Sequence, residues 1–288
     1  MSQKIGTLRL ALTFAGCFLG AGYVSGQELW QYFGAFGARG LLGLVLAVAL
    51  LGGTGVLLLR LSARTGIETM DALIVRADIP WLRTVVGVLT AALLFGVVCI
   101  MAAGDTNPML GNWATSAVNY AAYNFFATVG ILAPLTRHLK KPGTAVWGTV
   151  LGCVLLLAVA LGVLAALAVS PESVGAQLPM LDLACRLGTA GVVYAVLLFL
   201  GMFGTSVSSL VAVLTYAGQK SARLAGHRTA LLLVLTAAAF AGSLFGFGDL
   251  IGIVYPVYGY LGMAAMLLVA EHAVHARRAG NHCTATGD

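Results

Sequence analysis

The sequence predicts an all-α membrane protein of about eight transmembrane helices. Three observations carry this: an apolar composition, eight hydrophobic runs of spanning length, and basic residues confined almost entirely to alternate loops. Of 288 residues, 60% are hydrophobic and 9% are charged, and the mean hydropathy is +0.96. Soluble domains carry roughly 25% charged residues. A water-soluble surface of this size cannot be built from such a chain, which excludes a soluble enzyme.

A spanning helix needs about 20 mostly apolar residues, because every backbone group in hydrocarbon must be bonded within its own segment. The runs that meet this are Leu10–Phe33, Gly40–Leu59, Val85–Ala103, Trp113–Leu135, Thr144–Val169, Leu187–Tyr216, Thr229–Phe247 and Leu250–Glu271. They form a single domain over residues 1–271, followed by a cytoplasmic tail, 272–288. Two polar stretches lie between spans without crossing. Arg60 to Arg83 is a cytoplasmic connection, and Ser170 to Arg186, with Pro171 and Pro179, is an external loop.

Basic residues near helix ends stay on the cytoplasmic side. With the N-terminus inside, Lys4, Arg9, Arg60, Arg64, Arg76, Arg83, Arg137, Lys140, Lys141, Lys220, Arg223, Arg228, Arg277 and Arg278 all fall inside, and only Arg39 and Arg186 fall outside. Missing one helix would scramble this asymmetry, so it supports both the helix count and cytoplasmic termini in a plasma membrane. The net charge of +6 then describes a cytoplasmic membrane surface. A nucleic-acid partner is not expected, since no folded basic domain exists outside the lipid; the bilayer itself is the first partner.

Several patterns at the chain ends point away from other classes. Ala15-Gly16-Cys17 resembles a lipoprotein cleavage site, but the apolar run before it is only Leu10 to Phe14 and the apolar character continues beyond it. The five cysteines, at 17, 99, 153, 185 and 283, have no paired spacing, so neither a disulfide framework nor a zinc site is indicated. His272, His275, His282 and Cys283 are read as part of a solvated, poorly ordered tail. No His/Asp, Ser/Lys or carboxylate pair stands within a span, so the chain is not expected to be an enzyme.

Glycine is concentrated in the first span, Phe14-Ala-Gly16-Cys-Phe-Leu-Gly20-Ala-Gly22-Tyr-Val-Ser-Gly26-Gln27-Glu28. Each interior glycine costs a helix about 1 kcal/mol relative to alanine, so a break is expected near Gly20 to Gly22. The fourth span carries Asn119, Tyr123, Asn124, Thr128, Gly130 and Pro134, and a break is expected there between Asn124 and Gly130. The two segments run in opposite directions and each leads into a short basic turn and a long apolar helix. This is the sequence form of an inverted repeat, in which solute and ion sites gather at the discontinuities. Close helix packing is the other reading, because Gly16/Gly20, Gly22/Gly26 and Gly242/Gly246 all fit the small-xxx-small pattern.

Three polar groups stand out. Glu28 is the acidic residue set within a span; it faces a cavity or partner, or else it simply reaches the outer interface. Thr205, Ser208 and Ser209 share one helical face of the sixth span. Their hydroxyls either join freed backbone carbonyls around a hard cation or bond the carbonyls of their own helix. Asp249, Tyr255, Pro256, Tyr258 and Tyr260 near the last span read as an interfacial aromatic belt with a packing kink.

The run Phe18-Leu-Gly-Ala-Gly-Tyr-Val-Ser-Gly-Gln-Glu28 through Phe33-Gly34, with Tyr123-Asn124 and Ala133-Pro134-Leu135, resembles the YkvI-type uncharacterised bacterial membrane proteins. Those are distant relatives of the amino acid-polyamine-organocation superfamily, with its LeuT-type inverted-repeat fold. The resemblance implies a sodium site from the carbonyls of Gly16 and Leu19 and the hydroxyls of Thr205, Ser208 and Ser209. It implies a substrate cavity lined by Gly20, Gly22 and Tyr23, facing Tyr123 and Asn124, with Glu28 nearby. That fold has two sets of five helices, and this chain has three spans before its second expected break, so two helices of the first repeat are missing. Two classes of function follow. One is a secondary transporter of a small organic solute, an amino acid among the candidates, coupled to sodium or protons and using no other cofactor. The other is a non-transporting relative or interaction subunit, whose missing helices a second copy or a partner supplies.

Overall fold

A computed structural model describes residues 4–67, 70–75, 81, 84–86, 110–139, 141–176, 178–221, 223, 226–243 and 247–285. Its helices are α1 (Thr7–Phe18), α2 (Ala21–Ser25), α3 (Gln27–Tyr32), α4 (Ala38–Thr65), α5 (Met70–Ile74), α6 (Trp113–Leu132), α7 (Pro142–Val169), α8 (Pro179–Arg186), α9 (Thr189–Lys220), α10 (Arg228–Ser243) and α11 (Phe247–Ala285), with short 3₁₀ turns at Gly34–Phe36, Ala133–His138 and Pro171–Ser173. No strand occurs among the described residues; a lone parallel bridge joins Ile5 to Leu139, where the Ile5 N–H donates to the His138 carbonyl at 2.6 Å.

Among the described residues, four helical stretches are long and apolar enough to cross a membrane: Ala38–Thr65, Gly143–Val169, Thr189–Gly218 and Tyr255–Ala276. They coincide with four of the runs read from the sequence. The third run, Val85–Ala103, lies outside the described residues apart from its first two positions.

The first run is three short helices rather than one. In α1 the buried residues Leu10, Ala11, Phe14, Ala15 and Phe18 recur at helical spacing, while Leu8 and Leu12 face outward. The helix stops at Leu19 (ψ 49°), and α2 begins after an extended Gly20. A second interruption falls at Gly26, with φ +82°, a conformation glycine adopts without the steric cost a Cβ would bring. Any Cβ there would also stand 2.8 Å from Leu167. The break therefore lies at the front edge of the expected Gly20–Gly22 window, and Gly26 adds another.

The core gathers around α1, α4, α6, α7 and α11. Glycines let these helices approach: a Cβ on Gly148 or Gly152 of α7 would stand 2.7 Å from Leu10 or Phe14 of α1, and one on Gly55 of α4 would stand 2.7 Å from Phe14. Contacts at 10/148 and 14/152 advance together, so α1 and α7 run parallel, as two spans of the same direction should. Likewise Gly259 and Gly262 of α11 meet Asn119 and Ala122 of α6, which makes that pair parallel. The small-residue packing motif thus operates, mostly at glycines the sequence pattern did not single out. On the other side, α9 packs against α2 and α8 and turns Val192, Val193, Val196, Phe199, Leu200 and Phe203 outward.

Two expectations fail. The fourth span is unbroken: α6 is helical from Trp113 through Leu132 and passes into a 3₁₀ turn at Ala133. The polar side chains at the expected break are absorbed by the helix's own backbone, since Asn124 Nδ2 donates to the Tyr120 carbonyl (3.0 Å) and Thr128 Oγ1 to the Asn124 carbonyl (3.0 Å). Residues 272–285, expected in a poorly ordered tail, instead continue α11, and His272 is buried with Nδ1 3.0 Å from the Leu73 carbonyl of α5.

Candidate functional site

Two features meet at the interrupted first span. The first is the break itself. The Gly20 N–H turns back to the Phe18 carbonyl (2.7 Å), and the Leu19 N–H reaches the Ala15 carbonyl (3.1 Å). No backbone N–H among the described residues reaches the carbonyls of Gly16, Cys17 or Leu19. Such acceptors in a membrane require another donor or a cation. Thr205 of α9 faces this point: its Oγ1 and Cγ2 both stand 3.7 Å from where a Gly20 Cβ would lie.

Of the residues expected around a cation, the structure therefore places Leu19 and Thr205 at the same break. Gly16 is exposed, Ser209 is buried, and the side chain of Ser208 lies outside the described residues. The Thr205 hydroxyl currently donates to the Gly201 carbonyl of its own helix at 3.0 Å, the packing alternative read from the sequence.

The second feature lies two residues on. Glu28 is buried, which removes the reading that it merely reaches the interface. Its Oε2 sits so close to Gly22 that a Cβ there would be 2.4 Å away. Gly22 is thus the seat of the carboxyl, a role distinct from flexibility. Tyr23, Tyr32, Tyr120 and Tyr255, from α2, α3, α6 and α11, all lie within electrostatic reach of that carboxyl. The Tyr120 hydroxyl lies within reach of the Glu28 carboxyl, short of a well-formed hydrogen bond.

Ring packing fixes this wall. The centroids of Tyr32 and Tyr120 are 5.2 Å apart, those of Tyr120 and Tyr123 are 5.4 Å apart, and Tyr123 stacks on Tyr255 at 4.6 Å. These are ordinary distances for packed aromatic pairs. The other hydroxyls are mostly committed: Tyr23 Oη donates to the Leu156 carbonyl (2.7 Å), and Tyr32 Oη reaches Asn119 Oδ1 at 3.4 Å. Asn119 Nδ2 in turn donates to the Pro256 carbonyl (3.0 Å). Ser116 Oγ donates to the Tyr32 carbonyl (2.7 Å), and the Tyr123 hydroxyl is buried with no hydrogen-bond partner among the described residues. Tyr194 of α9 ties the segment down from the other side by donating to the Val24 carbonyl.

Of the expected solute-lining residues, Gly22, Tyr23, Glu28 and Tyr123 come together here. Gly20 belongs to the break beside Thr205, and Asn124 is turned onto its own helix. Tyr255, read from the sequence as part of an interfacial belt, is instead buried in the wall, whereas Tyr260 is exposed. Sequence reasoning missed Tyr32, Asn119 and Tyr120. The available signal was the spacing of Ser116, Asn119, Tyr120 and Tyr123, which share one face of α6 at i, i+3, i+4 and i+7.

Outside this region, Arg186 bridges Glu172 and Asp182 at 3.0 Å each in the loop predicted to be external. The nearby Ser173 hydroxyl and the hydrogen-bonded Arg186 guanidinium hold the Asp182 carboxyl below the usual aspartate range. No group of three or more metal-ligating side chains occurs among the described residues.

In comparison with known proteins, the chain is similar to an uncharacterised membrane protein, YkvI, of Bacillus subtilis (strain 168). The two are 23% identical over 158 residues, which cover 54% of this chain and 45% of that protein. No family model matches the chain, and no solved structure matches it. The composition, the helices of spanning length and this relative together identify a membrane protein.

Proposed function

We propose that the chain is a secondary transporter of a small organic solute, an amino acid among the candidates, driven by a cation. In this reading it crosses the plasma membrane eight times with both termini cytoplasmic. The observation that carries it is the interruption at Leu19–Gly20, which leaves carbonyl oxygens of Gly16, Cys17 and Leu19 without backbone donors beside Thr205. Freed helix ends at mid-membrane are where transporters bind ions and solutes. A sodium ion would draw on Leu19, Thr205, Ser208 and Ser209. The solute would lie along Gly22, Tyr23, Glu28 and Tyr123. Kinship to the LeuT-type fold rests on the first span alone, because the continuous α6 supplies no second discontinuity. The chain performs no chemistry on its solute in this reading and needs no cofactor beyond the coupling ion.

The continuity of α6 and the ring contacts that fill the wall favour a second reading, a non-transporting membrane protein that serves as a subunit. Uptake of labelled amino acids into proteoliposomes separates the two. The transporter reading expects accumulation under an inward sodium or proton gradient. If sodium is the ion, Thr205→Val and the double change Ser208→Ala with Ser209→Ala weaken the sodium dependence while the protein still folds. Absence of gradient-driven uptake across the panel overturns the transporter and leaves the subunit.

A further inference from the structure

The carboxyl of Glu28 is buried against the bare backbone of Gly22 and walled by tyrosines, an expensive placement for an ionisable group. A buried carboxylate persists when cations or two to three hydrogen-bond donors face it. The groups on every packed element are as follows. Tyr23 on α2 is committed to the Leu156 carbonyl, and Tyr32 on α3 to Asn119. Tyr120 and Tyr123 stand on α6, Tyr255 on α11, and Cys153 on α7 bonds the Val48 carbonyl. On α9, Tyr194 is bonded to Val24, and on α8, Asp182 and Arg186 hold each other. No Lys, Arg or His among the described residues acts on Glu28, and the hydroxyl within its reach is that of Tyr120.

The carboxyl therefore needs a positive partner, and the packing decides its size. Oε2 is already in contact with Gly22, and the rings of Tyr32, Tyr120, Tyr123 and Tyr255 touch one another. A hard metal cation gathers roughly six oxygen ligands, and an organic ammonium needs a cage open between its rings. Among the described residues a single hydroxyl, that of Tyr120, stands next to the carboxyl and the rings pack on one another, a setting that suits a proton, which needs one oxygen, before either larger cation.

We infer that Glu28 is a proton-binding site: its carboxyl, next to the Tyr120 hydroxyl, takes up one proton and gives it back. The step is the making and breaking of one O–H bond at the carboxyl, with the proton exchanged with water on whichever side the site opens. In the transporter reading, on which only the coupling role depends, this makes the proton the coupling ion and leaves Thr205 outside the coupling step.

Infrared difference spectroscopy on the purified protein, titrated with pH, tests the site without any solute. The expected result is a protonated-carboxyl band in the wild type that titrates away with rising pH, disappears in Glu28→Gln, and shifts in Tyr120→Phe while both variants keep the wild-type elution volume. Wild-type and Glu28→Gln spectra that titrate identically overturn the site. So does a Glu28 band that vanishes on addition of sodium chloride or methylammonium at constant pH, because a larger cation then displaces the proton. Proteoliposomes enclosing a pH-sensitive dye, challenged with a mixture of common amino acids, test the coupling role. Solute-dependent acidification lost in Glu28→Gln supports it. Acidification that persists in that variant overturns it. A titrating Glu28 band in a protein that moves no solute upholds the proton site and refutes transport, so the two failures are separable.

Discussion

Replacing Gly262 by alanine tests whether the close crossing of α6 and α11 holds the tyrosine wall together. The added Cβ would lie 2.1 Å from the Ala122 carbonyl oxygen and 2.5 Å from its carbon, both backbone atoms that cannot swing aside. Restoring an ordinary contact of about 3.4 Å requires the helices to part by roughly 1.3 Å, more than the 0.5–1 Å gap that already forfeits a quarter to a half of the dispersion well. Overpacking of this kind costs about 1–3 kcal/mol, and an immovable backbone places it near the upper end. Alanine returns about 1 kcal/mol through its better helix propensity. The net loss is then about 2 kcal/mol, or about 4–8 °C in Tm on the scale of domains approaching this size. The assay is the melting of detergent-purified protein followed by size-exclusion chromatography. Gly201→Ala is the control, since nothing lies within 4 Å of the added atom and propensity alone acts. Equal melting of Gly262→Ala and Gly201→Ala would refute the close-packed crossing.

Further outcomes follow from the same geometry. Tyr23→Phe leaves the buried Leu156 carbonyl without its side-chain donor and lowers stability by about 1–2 kcal/mol, read by the same melting assay. A cysteine in place of Gly175 reacts with an impermeant thiol reagent added outside cells, whereas one in place of Lys140 does not; the reverse result overturns the topology. Asp182 has a folded-state pKa below its unfolded value. Its contribution is therefore complete above the unfolded pKa and declines as pH falls through the folded one. Asp182→Asn accordingly lowers the melting temperature at neutral pH only slightly, because the partners are exposed, and this small difference closes in acid.

The membrane assignment and four of the spans were legible because they rest on one-dimensional quantities, run length and loop charge, that hold whatever the helices touch. The glycine cluster located the first break to within a residue or two, since four glycines in eleven residues weaken a helix wherever it packs. The fourth span misled for a physical reason. Asn124 and Thr128 look like the contents of a cavity in sequence, but a helix can satisfy such groups from its own carbonyls.

Composition, four of the spans and the location of one break were thus fixed by local chemistry along the chain. Which polar groups meet was decided by tertiary packing. Tyr255 stands at a span end in sequence and in a buried wall in the structure, because Gly259 and Gly262 let α11 lie directly on α6. Glu28 could equally have faced lipid headgroups, and it is buried because Gly22, six residues earlier on a different helix, leaves room for its carboxyl. A contact between helices depends on where both backbones run, and neither hydropathy nor spacing within one segment carries that information.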